Sequence, residues 1–204
     1  MKNIWILLLF VNFQLFSQSD ASHFKKLSTP EKCWVIFHPF KAKRALNISH
    51  DAIRITDSIG RTKVLDNDKN GGQLDALKHS YWIAALTSEL GERASIKLGK
   101  AHEKGNYRAF KKGKLEDGFL PDLPSSQMDL YNNNIGAQIA IENSELTNEE
   151  LIDQIIVEIK AGRLKILKKD DLGNFLTCDG VIISKEVLMG IWENDKCLVS
   201  SNKM

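Results

Sequence analysis

Three polar side chains fall one above another in an otherwise apolar stretch. Asp75, His79 and Trp82 stand at positions i, i+4 and i+7, a spacing that places them on one face of an α-helix. Two of the three can titrate or bind a metal ion. An imidazole beside a carboxylate serves both general-base catalysis and metal ligation, so this face is the first candidate for chemistry.

Further polar residues recur in the two helical segments that follow. His102 and Glu103 come near the end of one segment, and Asp129, Asn132 and Asn133 share one side of the next. If the three segments pack side by side, imidazoles, carboxylates and amides meet in one pocket. A histidine oriented by carboxylates can act there as a general base or activate a nucleophile.

The same groups suit a divalent ion, because nitrogen and oxygen ligands together favour zinc or manganese. The predicted catalytic residues are His79, His102, Glu103 and Asp129. The predicted metal ligands are Asp75, His79 and His102, and the predicted cofactor-binding amides are Asn132 and Asn133.

Structural roles explain several of these residues as well. Asp129 lies three residues after Ser126, the spacing of a capping box, and Asp75 lies in the first turn of a helix that Asn70 or Gly71 would cap. A histidine among apolar residues is often a hydrogen-bonded core residue. The sequence leaves the functional and the structural interpretations open.

A calcium-like pattern precedes the first of these helices. Asp66, Asp68 and Asn70 alternate before Gly71, as ligands do in the first half of a calcium-binding loop. Leu77, however, occupies the twelfth position, where a bidentate glutamate belongs. A plain Asn-Gly-Gly turn before a helix is therefore favoured over a calcium site.

The apolar pattern predicts a mostly α fold, a compact multi-helix bundle around a central buried helix at about 72–90. That segment is apolar nearly all round. The other helices are predicted at 40–46, at 49–58, from 94 to about 103, from Ser125 or Ser126 through 141, and from the capping box Thr147-x-x-Glu150 to Gly162. Short runs at 164–167 and 181–183 then predict a small β-hairpin, followed by a short helix near 184–190.

The amino terminus indicates export. A basic head, an apolar run from Ile4 to Phe16 and a small residue, Ser17, are typical of a signal peptide covering residues 1–17. We expect a secreted or periplasmic product, with a flexible lead-in at 18–30 and one domain over 31–204. That domain divides into a helical core at 31–162 and a hairpin and helix appendage at 163–204.

Charge and hydropathy limit the partners. The net charge of +2 falls to +1 when Lys2 is removed with the leader, so nothing favours nucleic acid. No second long apolar segment follows, so we expect no stable membrane anchor after cleavage. Cys178 and Cys197 flank a short carboxyl-terminal unit, which leaves open a disulfide between them or three unpaired thiols. Cys33 is expected to be a buried thiol.

Four short segments in this order resemble a bacterial domain of unknown function, family number 6973. The segments are Glu31-Lys32-Cys33-Trp34-x-x-x-His38-Pro39, Gly71-Gly72-x-x-Asp75-Ala76-x-Lys78-His79-x-x-Trp82, Ala101-His102-Glu103-x-Gly105-Asn106 and Met128-Asp129-Leu130-x-Asn132-Asn133-x-x-Gly136. The resemblance implies a helical, secreted or surface-associated domain with His79, His102, Glu103, Asp129 and Asn133 as signature residues. The family pattern has arginine before the histidine, where Lys78 keeps the charge and loses the planar fork.

The resemblance supplies no activity, so three hypotheses remain. The first is an exported hydrolase-like domain, with or without a metal ion, whose pocket is built from the residues above. The second is a non-enzymatic binding or structural module whose polar residues form a buried packing network. The third, a toxin-like effector, rests on export alone.

Overall fold

The structure, a computed structural model, describes residues 18–116 and 118–203; the predicted signal peptide lies outside them. Within these ranges the chain forms eight helices and two short strands. The elements are α1 (Gln18–Lys26), α2 (Thr29–Phe37), α3 (Pro39–Gly60), α4 (Gln73–Leu90), α5 (Glu92–Phe110), α6 (Leu123–Glu142), α7 (Asn148–Ala161), β1 (Lys165–Leu167), α8 (Lys185–Gly190) and β2 (Leu198–Ser200). The predicted fold class, a mostly α bundle with a small carboxyl-terminal hairpin and helix, is confirmed.

Helix α4 is the centre of the bundle, as its all-round apolar pattern predicts. Leu74, Leu77, Ile83 and Leu86 are fully buried, and the helix packs against α3, α5, α6 and α7. Burial of each such side chain contributes about 2 kcal/mol to folding. A helix so enclosed holds its polar residues in fixed positions within the core.

The closest helix crossing joins α4 to α6. A Cβ atom on Gly136 would lie 2.1 Å from the backbone oxygen of Ser80, so only glycine allows the two backbones to approach this far. A glycine inside a helix, as Gly136 is, is the sequence signal for such a close approach of two backbones. Asp129, about two turns earlier on α6, is thereby brought to the part of α4 that carries Asp75 and His79.

Two helices differ from the predicted boundaries. The segments predicted at 40–46 and 49–58 form one helix, because the Ser49 hydroxyl donates to the carbonyl oxygen of Ala45 and Ile48 packs in the core. Gly105 does not end α5 but lies inside it, where a Cβ atom would come within 2.5 Å of the Ser28 hydroxyl. Gly105 lets the segment around Ser28 pack closely against α5, and it does not terminate the helix.

The amino-terminal region contains more helix than predicted. Residues 18–26, within the predicted flexible lead-in, form α1, and Ser28 with Glu31 forms a capping box that starts α2. Because α2 buries Trp34 and leaves its other face open, Cys33 is exposed, and the prediction of a buried thiol is wrong.

The carboxyl-terminal region completes the fold. The Thr147–Glu150 capping box that starts α7 and the Gly162 that ends it, in a left-handed conformation, are confirmed. Strand β1 pairs antiparallel with β2, whereas residues 181–183 contribute only an isolated bridge from Ile182 to Leu176. Cys178 and Cys197 form a disulfide. No helix among the described residues has the length and apolarity needed to cross a membrane.

Candidate functional site

Helices α4 and α6 bring two carboxylates against one imidazole. The His79 Nε2 atom lies 3.6 Å from Asp75 Oδ1 and 3.4 Å from Asp129 Oδ1, and the three ligand atoms fall within 4.8 Å of one another. The three side chains are buried, with exposed fractions of 8%, 5% and 7% for Asp75, His79 and Asp129. We call these three residues the acid–histidine cluster.

Several buried polar atoms in and beside the cluster have no hydrogen-bond partner. They include His79 Nδ1, Asp129 Oδ1 and Glu103 Oε1. A buried carboxylate oxygen without a partner is costly, and folded proteins rarely contain several together. The oxygens of Asp129 and Glu103 named here therefore lack a donating group.

Asp75 and Asp129 differ in how far the protein satisfies them. Asp75 accepts a hydrogen bond from the Gly71 amide at 2.8 Å through Oδ2, and its Oδ1 lies 2.9 Å from Lys78 Nζ. Asp129 does not cap its helix; the side chain of Asp122 accepts from the Ser125 amide and starts α6 instead. The capping-box interpretation of Asp129 is wrong.

Burial and neighbouring charges shift the pKa values of the cluster residues and of Glu103. Burial raises the pKa of Asp75, and it raises the pKa of Asp129 well above its usual range, to which the neighbouring Glu103 and Asp75 add. Burial also raises the pKa of Glu103 to about 7. Burial, with Lys78 and His102 nearby, lowers the pKa of His79 well below its usual value, so this imidazole is neutral and free to act as a ligand or base.

His102 lies beside the cluster and is held by a different pair of acids. Its Nδ1 is 3.1 Å from Glu31 Oε1 and its Nε2 is 2.9 Å from Glu116 Oε1. Burial alone lowers the pKa of His102, but the hydrogen bonds to Glu116 and Glu31 outweigh it and raise the pKa well above its usual value. With both nitrogens engaged and its ring centre 6.3 Å from that of His79, His102 does not join the ligand set of the cluster.

The three remaining predicted site residues differ in their hydrogen-bond partners. Glu103 is buried and accepts from Ser126 and from Asn106 Nδ2. The Asn132 side chain donates through Nδ2 to the Lys165 carbonyl oxygen and accepts through Oδ1 from the Lys165 backbone N–H, at 2.9 Å each. These two hydrogen bonds fix β1 to α6. Asn133 is fully buried next to Gly99, and neither of its amide atoms has a partner. Asn132 is therefore engaged by the fold, whereas the buried amide of Asn133 is left without a hydrogen-bond partner.

A cavity of about 440 Å³ opens beside the cluster. Most of its wall is apolar, and its polar lining includes Lys78, His79, His102, Glu31 and Glu116. Ligand sites in proteins have this volume and this composition, a mainly apolar hollow with a few converging polar groups. His79 belongs to both the cavity wall and the acid–histidine cluster.

The calcium-like loop is occupied by the protein's own groups. Asp66 accepts from the Gln73 amide at 2.6 Å and from the Leu74 amide at 3.2 Å, so it starts α4. Asp68 accepts from the Asn70 amide and forms an ion pair with Lys169. Backbone amides and one lysine thus occupy the two carboxylates of the loop, in keeping with the turn that the sequence favours.

Sequence reasoning did not single out Glu31, Glu116 or Lys78 as site residues. Glu31 already has a local role as the third residue of a capping box, which hides its contact with His102. Glu116 lies in a connection without a motif. Lys78 carries the one available signal, because it precedes His79 in the segment that resembles the family pattern.

The two His79–aspartate separations in the cluster have the length of a ligand–ligand edge in a tetrahedral metal site. For metal–ligand bonds of roughly 2.1 Å, the ligands of a tetrahedral zinc ion lie roughly 3.4 Å apart. The separations of 3.4 and 3.6 Å match that edge and are long for hydrogen bonds. Three protein ligands leave a fourth position for water, the arrangement of catalytic zinc sites.

Fold and site together define a helical domain with an acid–histidine cluster at its centre and an apolar cavity beside it. The profile of the domain of unknown function DUF6973 matches residues 32–163, and the chain belongs to this family. No curated protein and no solved structure matches the chain with significant similarity.

Proposed function

We propose that this protein is an exported, zinc-dependent hydrolase whose metal ligands are Asp75, His79 and Asp129. The observation that carries the proposal is the acid–histidine cluster itself, three buried ligand atoms at metal-ligand spacing with unpartnered acceptors around them. It adjoins the cavity through His79, so an ion held by the cluster would lie next to a substrate bound in the cavity.

The reaction is hydrolysis of an ester or amide. A zinc ion held by Asp75, His79 and Asp129 would polarise the substrate carbonyl and lower the pKa of water. The water oxygen forms a bond to the carbonyl carbon, and the water proton passes to Glu116, the carboxylate that lines the cavity beside His102. The bond to the leaving oxygen or nitrogen then breaks with its electron pair, and the His102 imidazolium gives that atom a proton.

Export is supported by two features of the chain. The leader-like residues 1–17 have the pattern of a signal peptide, and the Cys178–Cys197 disulfide is typical of an oxidising compartment. A secreted or periplasmic location is therefore part of the proposal.

A structural packing module is the second candidate, favoured by the contacts of Asp75. Lys78 already supplies a positive charge 2.9 Å from Asp75 Oδ1, and the Gly71 amide donates to Oδ2. In that case the cluster holds helices together without metal. The two functions differ in what happens when zinc is supplied.

The test is hydrolysis of chromogenic esters and amides by the purified protein after zinc loading. Activity is expected in the wild type, and it should fall at least 100-fold in His79→Ala and in His102→Gln. His38→Gln is the matched control, because His38 does not line the cavity and its Nδ1 donates to the Trp34 carbonyl oxygen. Absence of activity, or activity that survives His79→Ala, would remove the hydrolase and leave the packing module.

A further inference from the structure

Small side chains line one face of α3 where it borders the cavity. Ala42, Ala45, Ser49 and Ala52 recur every three or four residues, and all four line the cavity. At 1.5 Å per residue this face extends roughly 15 Å along the helix. The cavity thus has a long, shallow trough as one of its walls.

The opposite walls of the trough are large apolar side chains. Phe24 and Leu27 come from the amino-terminal region, Trp34 from α2 and Leu98 from α5. The Trp34 indole donates to the carbonyl oxygen of Ala94 at 2.9 Å, which fixes α2 on α5. An apolar group in the trough is therefore enclosed by several helices.

Trp82 joins the trough to the polar end of the cavity. Its indole N–H donates to the Ser49 hydroxyl at 2.9 Å, and its ring edge lies against His102 with centres 5.5 Å apart. From Ser49 the trough continues past Ala45 to Ala42, roughly 10 Å along the helix, and Lys43 also lines the cavity beside Ala42. The polar end also holds His79, a side chain 5% exposed whose Nδ1 has no partner.

We propose that the cavity binds an unbranched aliphatic chain, so that the substrates are fatty-acyl esters or amides. The chain lies along the small residues of α3, and its carbonyl group reaches His79 and His102. A trough of this length suits a linear chain better than a compact ring, which would leave its far end empty. The substrate class rests on the proposed hydrolase function, but the binding of an aliphatic chain in the cavity does not.

Calorimetric titration of the purified protein with dodecanoate tests the proposal. One equivalent should bind, and acetate and 2-naphthoate should bind at least tenfold more weakly. These two probes separate the chain from the carboxylate and from a flat apolar ring. Equal binding of 2-naphthoate, or no binding of dodecanoate, would overturn the proposal.

Variants locate the binding site. Ala45→Phe fills the middle of the trough and should weaken dodecanoate binding at least tenfold, whereas Ala161→Phe, at an exposed position on α7, should not. If Ala45→Phe does not fold, Ile53→Glu serves instead, because Ile53 lines the rim and is half exposed. Unchanged affinity in the folded variant would contradict the assignment.

Asp129→Asn separates this proposal from the proposed function. The variant should lose hydrolysis and keep dodecanoate affinity within twofold, because Asp129 does not line the cavity. Wild-type hydrolysis of short esters without dodecanoate binding would rule out the binding of an aliphatic chain and leave the proposed hydrolase function standing. Dodecanoate binding without zinc-dependent hydrolysis would support the aliphatic-chain site in the cavity and rule out the proposed hydrolase function.

Discussion

Helix α6 carries two buried aspartates with opposite surroundings. Asp122, at its start, accepts from the Ser125 amide, from Asn194 Nδ2 and from Lys196 Nζ, the last at 2.6 Å. Lys196 is itself enclosed and lies over the Phe175 ring. Asp129, seven residues later, faces His79 and has an oxygen without any hydrogen-bond donor.

The difference separates a structural acid from a candidate functional one. A buried charge with a complete set of partners joins parts of the fold, here the carboxyl-terminal region and the start of α6. A buried acid left without partners in a well-packed core stores an unfavourable interaction that a ligand can relieve. Stability should therefore depend strongly on Asp122 and little on Asp129, and zinc binding should show the reverse.

The largest expected effect is that of Asp122→Ala. The substitution leaves Lys196 buried without its counter-charge and removes a helix cap, so the free energy of unfolding should fall by about 3 to 5 kcal/mol. Urea unfolding measures it. Thr147→Ala, which removes only a cap, should cost about 1 kcal/mol, and equal losses in the two variants would show that the ion pair contributes nothing.

Gly136→Ala should have an intermediate effect. The added methyl group would meet the Ser80 carbonyl and push α4 from α6, which should cost about 1 to 3 kcal/mol and weaken zinc binding as well. Gly190→Ala is the control, because open space surrounds a Cβ atom there. Wild-type stability in Gly136→Ala, measured by urea unfolding, would mean that the helix crossing does not position Asp129.

Asp129→Asn should have the smallest effect on stability and the opposite sign. Removing one of several neighbouring buried acids relieves repulsion, so the zinc-free protein should gain about 1 kcal/mol in free energy of unfolding. Thermal and urea unfolding in the presence of chelator measure it. A loss of about 2 kcal/mol or more would place Asp129 with Asp122 among the structural acids.

The sequence was sufficient for features that depend on local pattern. The central helix follows from apolar residues on every face, and the close approach at Gly136 follows from a glycine inside a helix. Asp75 and His79 were placed together by their spacing alone. Each of these inferences uses residues within a few turns of one another.

Features that depend on distant partners could not be predicted. Gly105 has the sequence appearance of a helix end, and only the approach of Ser28 explains why it lies inside α5. His102 is held by Glu31 and Glu116, which come from before and after the central helices and share no motif spacing with it. The cavity could not be predicted from the sequence pattern, because small residues on α3 are equally consistent with ordinary helix packing.

Zinc titration of the purified protein is the most direct test of the central claim. We predict one tightly bound equivalent, at least a tenfold weaker affinity in Asp75→Asn and Asp129→Asn, and wild-type affinity in Asp68→Asn, whose carboxylate is already paired with Lys169. Absence of zinc binding in the wild type, or an affinity that Asp129→Asn leaves unchanged, would contradict the acid–histidine cluster as a metal site.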